Sequence, residues 1–240
     1  MTVLADTFKP STFVDAFTFI GNHGWLIWHK TVEQLVLSGS GMGVAIGIAI
    51  PIGVWLGHVH RGSFAAINIS NIGRALPSLA VIAIALPFIG VGFWDVLLAL
   101  VVLAVPLMIT NAYVAVDGID PDVVEAARGM GMRDRDVLFR VELPLALPLL
   151  FAGIRTAAVY VVSTATIAAI AGGGGLGDII VNQASYRLEG VIGAAICVAA
   201  LALLADLAFG LVQFAVSPRG LRRRPAFEPD LPTAIPLPEH

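Results

Sequence analysis

Five apolar stretches, each near the length needed to cross the ~30 Å hydrocarbon core of a bilayer, restrict what this chain can fold into. They run over residues 35–56, 72–88, 93–116, 147–171 and 191–216. Lipid offers no water to peptide groups, so only helices or a closed barrel can span it. Stretches of this length predict helices. The second is the shortest and carries Arg74 and Pro77 at its start. Composition agrees with a lipid solvent. Apolar side chains make up 58% and charged ones 13%, against ~25% charged in soluble domains, and mean hydropathy is +0.88. A lone Cys197 gives neither a disulfide framework nor a cysteine metal cluster. The net charge of -3 suggests no nucleic-acid partner. The expected fold class is all-α, a polytopic membrane helix bundle of about five transmembrane helices.

Lys and Arg positions set the orientation. With the N-terminus outside, the inner side receives Arg61, Arg74, Arg128, Arg133, Arg135, Arg140, Arg155, Arg219, Arg222, Arg223 and Arg224. Only Lys9, Lys30 and Arg187 fall outside, so the positive-inside rule selects N-out, C-in. Residues 1–34 lack a clean apolar signal-peptide core and read as an extracytoplasmic or interfacial segment. Within them, residues 13–28 suit the membrane interface, where Trp25 and Trp28 are at home. Residues 217–240 turn basic and then Pro-rich, as expected of a disordered cytoplasmic tail.

The inner loop at 120–148 reads DPDVVEAARGMGMRDRDVLFRVELPLALP. Asp120 is placed to cap a helix that opens at Pro121, whose missing N–H costs nothing there. Asp122 and Glu125 put negative charge in its first turn, where the dipole favours it. Gly129 and Gly131 stop the helix and permit positive φ. Asp134 then starts a second short helix with Val137, Leu138 and Val141 as its apolar stripe. Pro144 is expected to end that helix and lead into the fourth span. The loop is thus a pair of short helices joined at a glycine elbow.

Glu125-Ala126-Ala127, three residues, Gly131, nine residues, then Val141-x-Leu143-Pro144 resembles the EAA loop of ABC-importer permeases. Val141 stands where that family has Ile. The likeness extends over residues 33–216, and the run at 153–183 is most similar to permeases of osmoprotectant importers for glycine betaine, choline or proline betaine. The resemblance implies a type I ABC importer permease in a bacterial plasma (inner) membrane, with a transmembrane permease domain at 35–216. It implies a second permease subunit (identical or different), separate ABC ATPase subunits and an extracytoplasmic substrate-binding protein. ATP and magnesium would be bound by the ATPase, leaving this chain without a cofactor and without catalysis of its own. The loop would dock into a groove on the ATPase and couple ATP-driven closure to the spans. Glu125 would give an anionic contact, the alanines close docking, and Gly131 the angle of the elbow.

Other residues admit two readings. The glycine run at 172–177 matches GxGxxG, but it follows a membrane stretch rather than a strand, and no GK[ST] is present. It is expected to break the fourth span and bend an outer loop, with a short helix starting at 178–182. Arg155 and Asp206 lie at similar depths, about 10 and 15 Å from the inner ends of their spans. They suit an intramembrane pair; alternatively Arg155 snorkels inward and Asp206 bonds a neighbouring helix. Ser78, Asn111, Tyr160, Ser163, Thr164 and Thr166 either line a translocation path or pack helices together. Tyr160 is the only aromatic deep in the fourth span, so an aromatic cage for a cation is not evident there. Tight recognition of substrate is therefore expected in another protein. His58 and His60 lack a third ligand and read as interfacial residues, not a metal site.

Rival classes remain beside the osmoprotectant permease. A permease for methionine or another amino acid has the same architecture. A channel working alone would have no use for an EAA-type loop. An intramembrane serine hydrolase would need a base near Ser163 or Ser78, and no histidine falls inside the five stretches.

Overall fold

The computed structural model describes residues 11–60, 68, 71, 73 and 76–217. Arg61, Arg74, the start of the second stretch and the tail beyond Ser217 lie outside the described residues. The described helices are α1 (Ser11–Asn22), α2 (Gly24–His58), α3 (Ser78–Ile89), α4 (Phe93–Asp117), α5 (Pro121–Gly129), α6 (Asp134–Val137), α7 (Leu143–Ala165), α8 (Gly177–Val181) and α9 (Gln183–Val216). A π turn at Leu138–Glu142 joins α6 to α7, and a 3-10 turn at Ile167–Ala171 follows α7.

Among the described residues, four helical runs are long and apolar enough to cross a membrane: Gly24–His58, Phe93–Asp117, Asp134–Ala165 and Gln183–Val216. The fifth apolar helix, α3, is 12 residues long. The chain is an all-α membrane bundle. α2 begins eleven residues before the apolar stretch at 35–56, so Trp25 and Trp28 sit exposed on its first turns. The preceding helix α1 is separate and lays Ala16 and Phe19 against Gly190 and Gly193 of α9.

Pro144 does not end a helix. The chain stays helical from Asp134 to Ala165, which corrects the expected stop before the fourth span. The π turn is the physical reason. The Leu143 N–H reaches back five residues to the Leu138 carbonyl. Pro144 then falls in the first turn of α7, where its missing N–H is tolerated. The buried stripe follows the same widened step: Val137 and Glu142, five residues apart, are 0% and 1% exposed.

The core centres on α2 and α4, which run parallel. Gly41 of α2 lies against Leu100, Gly53 against Ile109 and Ala112, and Gly57 against Tyr113 and Val116. A Cβ at Gly53 would stand 2.7 Å from the Ile109 carbonyl oxygen, and one at Gly57 would stand 2.9 Å from that of Tyr113. Small residues are what let membrane helices approach this closely. α7 closes the cluster with Ile154, Ala157, Val161 and Ala165. The short inner helices and the glycine run fall at opposite ends of this bundle. His58, at the C-terminal end of α2, meets Glu142 of the π turn beside the first, and Asp117, at the end of α4, meets His60. Glu33 and Gln34, near the start of α2, meet the second.

The glycine contact gives a stability prediction. Gly53→Ala should cost about 1–3 kcal/mol, because the new methyl meets backbone. Gly47→Ala, on the same helix with open space around it, should be neutral or stabilise by up to about 1 kcal/mol. Thermal unfolding of the two variants in detergent compares them directly, and equal melting temperatures would refute the packing argument.

Candidate functional site

The inner elbow is built by local rules. Asp120 Oδ1 accepts from the Asp122 N–H at 3.0 Å, and Pro121 opens α5. At its other end the Gly131 N–H donates to Arg128 O at 2.9 Å and the Met132 N–H to Ala127 O at 3.3 Å. Gly131 has φ +85°, as this closing geometry requires. Gly129 lies inside the last turn of α5 and needs no positive φ. Val124, Ala127 and Val137 bury against one another, with Met132 and Val141 alongside. Ala127 is thus the alanine inside the elbow, whereas Glu125 and Ala126 face outward and are exposed. Leu143 continues from the elbow into a cluster with Ala112, Val116 and Leu150, and Pro144 beside it is half-buried.

Two histidine–carboxylate contacts, which sequence reasoning missed, bind this region to the bundle. His58 Nδ1 lies 2.6 Å from Glu142 Oε2, with side-chain exposures of 13% and 1%. His60 Nδ1 lies 2.8 Å from Asp117 Oδ1 in a more open setting. His58 and His60 are therefore partners of acids, which sharpens their expected interfacial role. Beside them a cleft of 620 Å³ is lined by Trp55, His58, His60, Arg128 and Asp134.

Within the membrane stretch, Arg155 grips Asp206 through both carboxylate oxygens. The Gln213 amide donates to the Pro148 carbonyl at 2.9 Å, so the α7–α9 seam carries polar contacts at two levels. The pair is not enclosed: Arg155 is 41% and Asp206 34% exposed on the single chain. Thr156, Tyr160 and Ser163, spaced four and three residues apart, are exposed on α7 nearby. Thr164 is instead buried, and Thr166 accepts from Gln34 Nε2 at 3.1 Å. Asn111 donates to Leu107 O at 2.8 Å and packs over Gly153. Ser78 opens α3, half-buried. The six polar residues thus divide: Tyr160 and Ser163 share an uncovered face, Thr164, Thr166 and Asn111 sit at helix contacts, and Ser78 lies apart from both.

At the outer end, Lys30 Nζ donates to Glu33 at 2.8 Å and to Asp178 at 2.7 Å. Glu33 Oε2 also takes the Gly175 N–H at 2.9 Å. Gly172, Gly174 and Gly175 all have positive φ. The run follows a 3-10 turn, and the amide of its Gly175 is already given to a carboxylate. A dinucleotide loop needs a preceding strand and free amides for pyrophosphate, so the GxGxxG match is structural. Lys30, Glu33 and Gln34 were missed as a group. Their three- and four-residue spacing was the available signal, since it places them on one helix face. Asp95, fully buried in the first turn of α4, was also missed; neither of its oxygens has a partner among the described residues.

A lipid-length helix bundle with an elbow packed at one end and a polar seam in its middle describes a polytopic membrane protein. Residues 49–219 match the family of binding-protein-dependent transport system inner membrane components. The glycine betaine/carnitine/choline transport system permease protein OpuCB of Bacillus subtilis is 36% identical over 85% of this chain and 95% of its own length. The osmoprotectant import permease protein OsmW of Salmonella typhimurium is 30% identical over 85% and 97%. Among solved structures, the MetNI methionine ABC transporter superposes with a TM-score of 0.73 at 23% identity, covering 81% of this chain and 97% of that one. This chain belongs to that family of inner-membrane components, as a multi-pass ABC permease of the type I importer fold.

The seam yields a second prediction. Asp206→Asn alone strands the Arg155 charge, whereas joining it with Arg155→Gln removes both. Folded yield in membranes should therefore fall further in the single variant than in the double. Equal losses would show that the two charges do not support each other.

Proposed function

We propose that this chain is the permease of an ATP-driven importer for small osmoprotectants such as glycine betaine, choline or proline betaine. One observation carries the reading: relatives named for glycine betaine, carnitine and choline transport match 84% or more of the chain at 31–36% identity. The methionine transporter shares the fold at 23% identity, and a likeness at that level says little about solute. In this reading an extracytoplasmic binding protein selects the solute, and ABC ATPase subunits hold ATP and magnesium. The exposed Glu125 and Ala126 meet the ATPase, while Ala127, Gly131, Val141, Leu143 and Pro144 hold the elbow in shape. The permease domain spans 35–216, between the interfacial segment at 1–34 and the cytoplasmic tail at 217–240. A second permease subunit covers the open face of α7 and α9. A half-exposed ion pair facing hydrocarbon is costly, which supports protein or water on that side. Tyr160 and Ser163, with Thr156, then border the aqueous path.

Reconstituted transport tests this. The complex of permease, ATPase and binding protein in proteoliposomes should accumulate radiolabelled choline or glycine betaine on ATP addition, in preference to methionine. Gly131→Val strains a positive-φ site, and Glu125→Lys reverses an exposed charge. Both variants should insert normally yet lose about tenfold or more in uptake, a coupling change of ordinary size. Methionine uptake exceeding choline and glycine betaine uptake would refute the solute assignment. Wild-type uptake by both variants would remove the elbow from the coupling mechanism.

A further inference from the structure

We propose that His58 and Glu142 form the joint through which movement of the elbow reaches the first long span, making both positioning residues for coupling. The inference rests on the coupling role given to the elbow above and adds the link from elbow to bundle. Glu142 is 1% exposed, and its partner among the described residues is His58 at 2.6 Å. Its second oxygen has no partner among the described residues. A buried carboxylate stripped of its partner is strongly disfavoured, so the two ends of this contact are held together as their helices shift.

The placement suits transmission. Glu142 ends the π turn, five residues after Val137, which packs beneath α5. One short helical segment therefore presses Val137 on the elbow and Glu142 on the end of α2. Turns of this widened kind concentrate at functional positions. His60, two residues beyond His58, ties the same end to Asp117 at the end of α4. Because α2 and α4 are locked at Gly53 and Gly57, a pull on His58 is delivered to both helices.

The test uses the full complex in proteoliposomes and reads solute imported per ATP hydrolysed, with retention of the ATPase checked by gel filtration. His58→Ala and Glu142→Ala should each lower that ratio about fivefold or more while the ATPase stays bound. The double variant should match the singles within about twofold, because both remove one link. Glu142→Gln, which keeps an acceptor for His58, should retain about half of wild-type coupling or more. If Glu142→Ala does not accumulate, His58→Ala combined with Glu142→Gln replaces it, removing the buried charge with its partner, and should show the same loss. Single variants with the wild-type ratio, a double loss equal to the product of the singles, or a Gln variant no better than Ala would each overturn the joint while leaving the importer intact. A wild-type complex that hydrolyses ATP without importing solute would overturn the importer reading and the joint together.

Discussion

Hydrocarbon provides no partner for a peptide group, and the architecture follows from that constraint. Among the described residues, the four membrane-length runs are continuous helix. Two departures near the ends of these runs have their N–H groups met. The π turn returns the Leu143 N–H to the Leu138 carbonyl. The glycine run after α7 gives its Gly175 N–H to Glu33. Since lipid is as apolar as the side chains, burial of apolar surface contributes little to joining the helices. Close contact takes over that task, and the backbone approach of α2 to α4 at Gly53 and Gly57 is its plainest instance.

Four of the five expected spans and the elbow were legible in the sequence because their signals are local. Twenty apolar residues announce a helix without reference to anything else, and Asp120-Pro121 and Gly131 mark the ends of a short helix by their own stereochemistry. Pro144 was misread for a related reason. A proline after a short polar helix usually stops it, and the π turn that lets the chain pass is set by packing of Val137 and Glu142, which no local rule sees. The histidine contacts were invisible for the same cause. His58 and Glu142 stand 84 residues apart in sequence, and nothing near either one announces the other. Arg155 and Asp206 were within reach only because a charge in a membrane span demands a partner, and depth narrows the choice.

The polar groups fall into three tiers with different tasks. At the outer end, Lys30, Glu33 and Asp178 tie the glycine run and α8 to the first long helix. In the middle, Arg155 and Asp206 join α7 to α9 on a face the single chain leaves open. At the inner end, His58 and His60 bind the elbow and the foot of α4 to α2. Each tier bridges helices distant in sequence, so the spans are registered against one another at three heights.

Continuity of helix from Asp134 to Ala165 has a structural consequence. Its 32 residues have a contour of about 48 Å at 1.5 Å per residue, with the π turn and Pro148 inside it. The foot of this run carries the elbow. Its head meets Gln34, whose amide donates to the Val162 carbonyl at 3.0 Å, beside the tethered glycine run. One unbroken helical run thus joins the elbow at one end of the bundle to the neighbourhood of the tethered glycine run at the other.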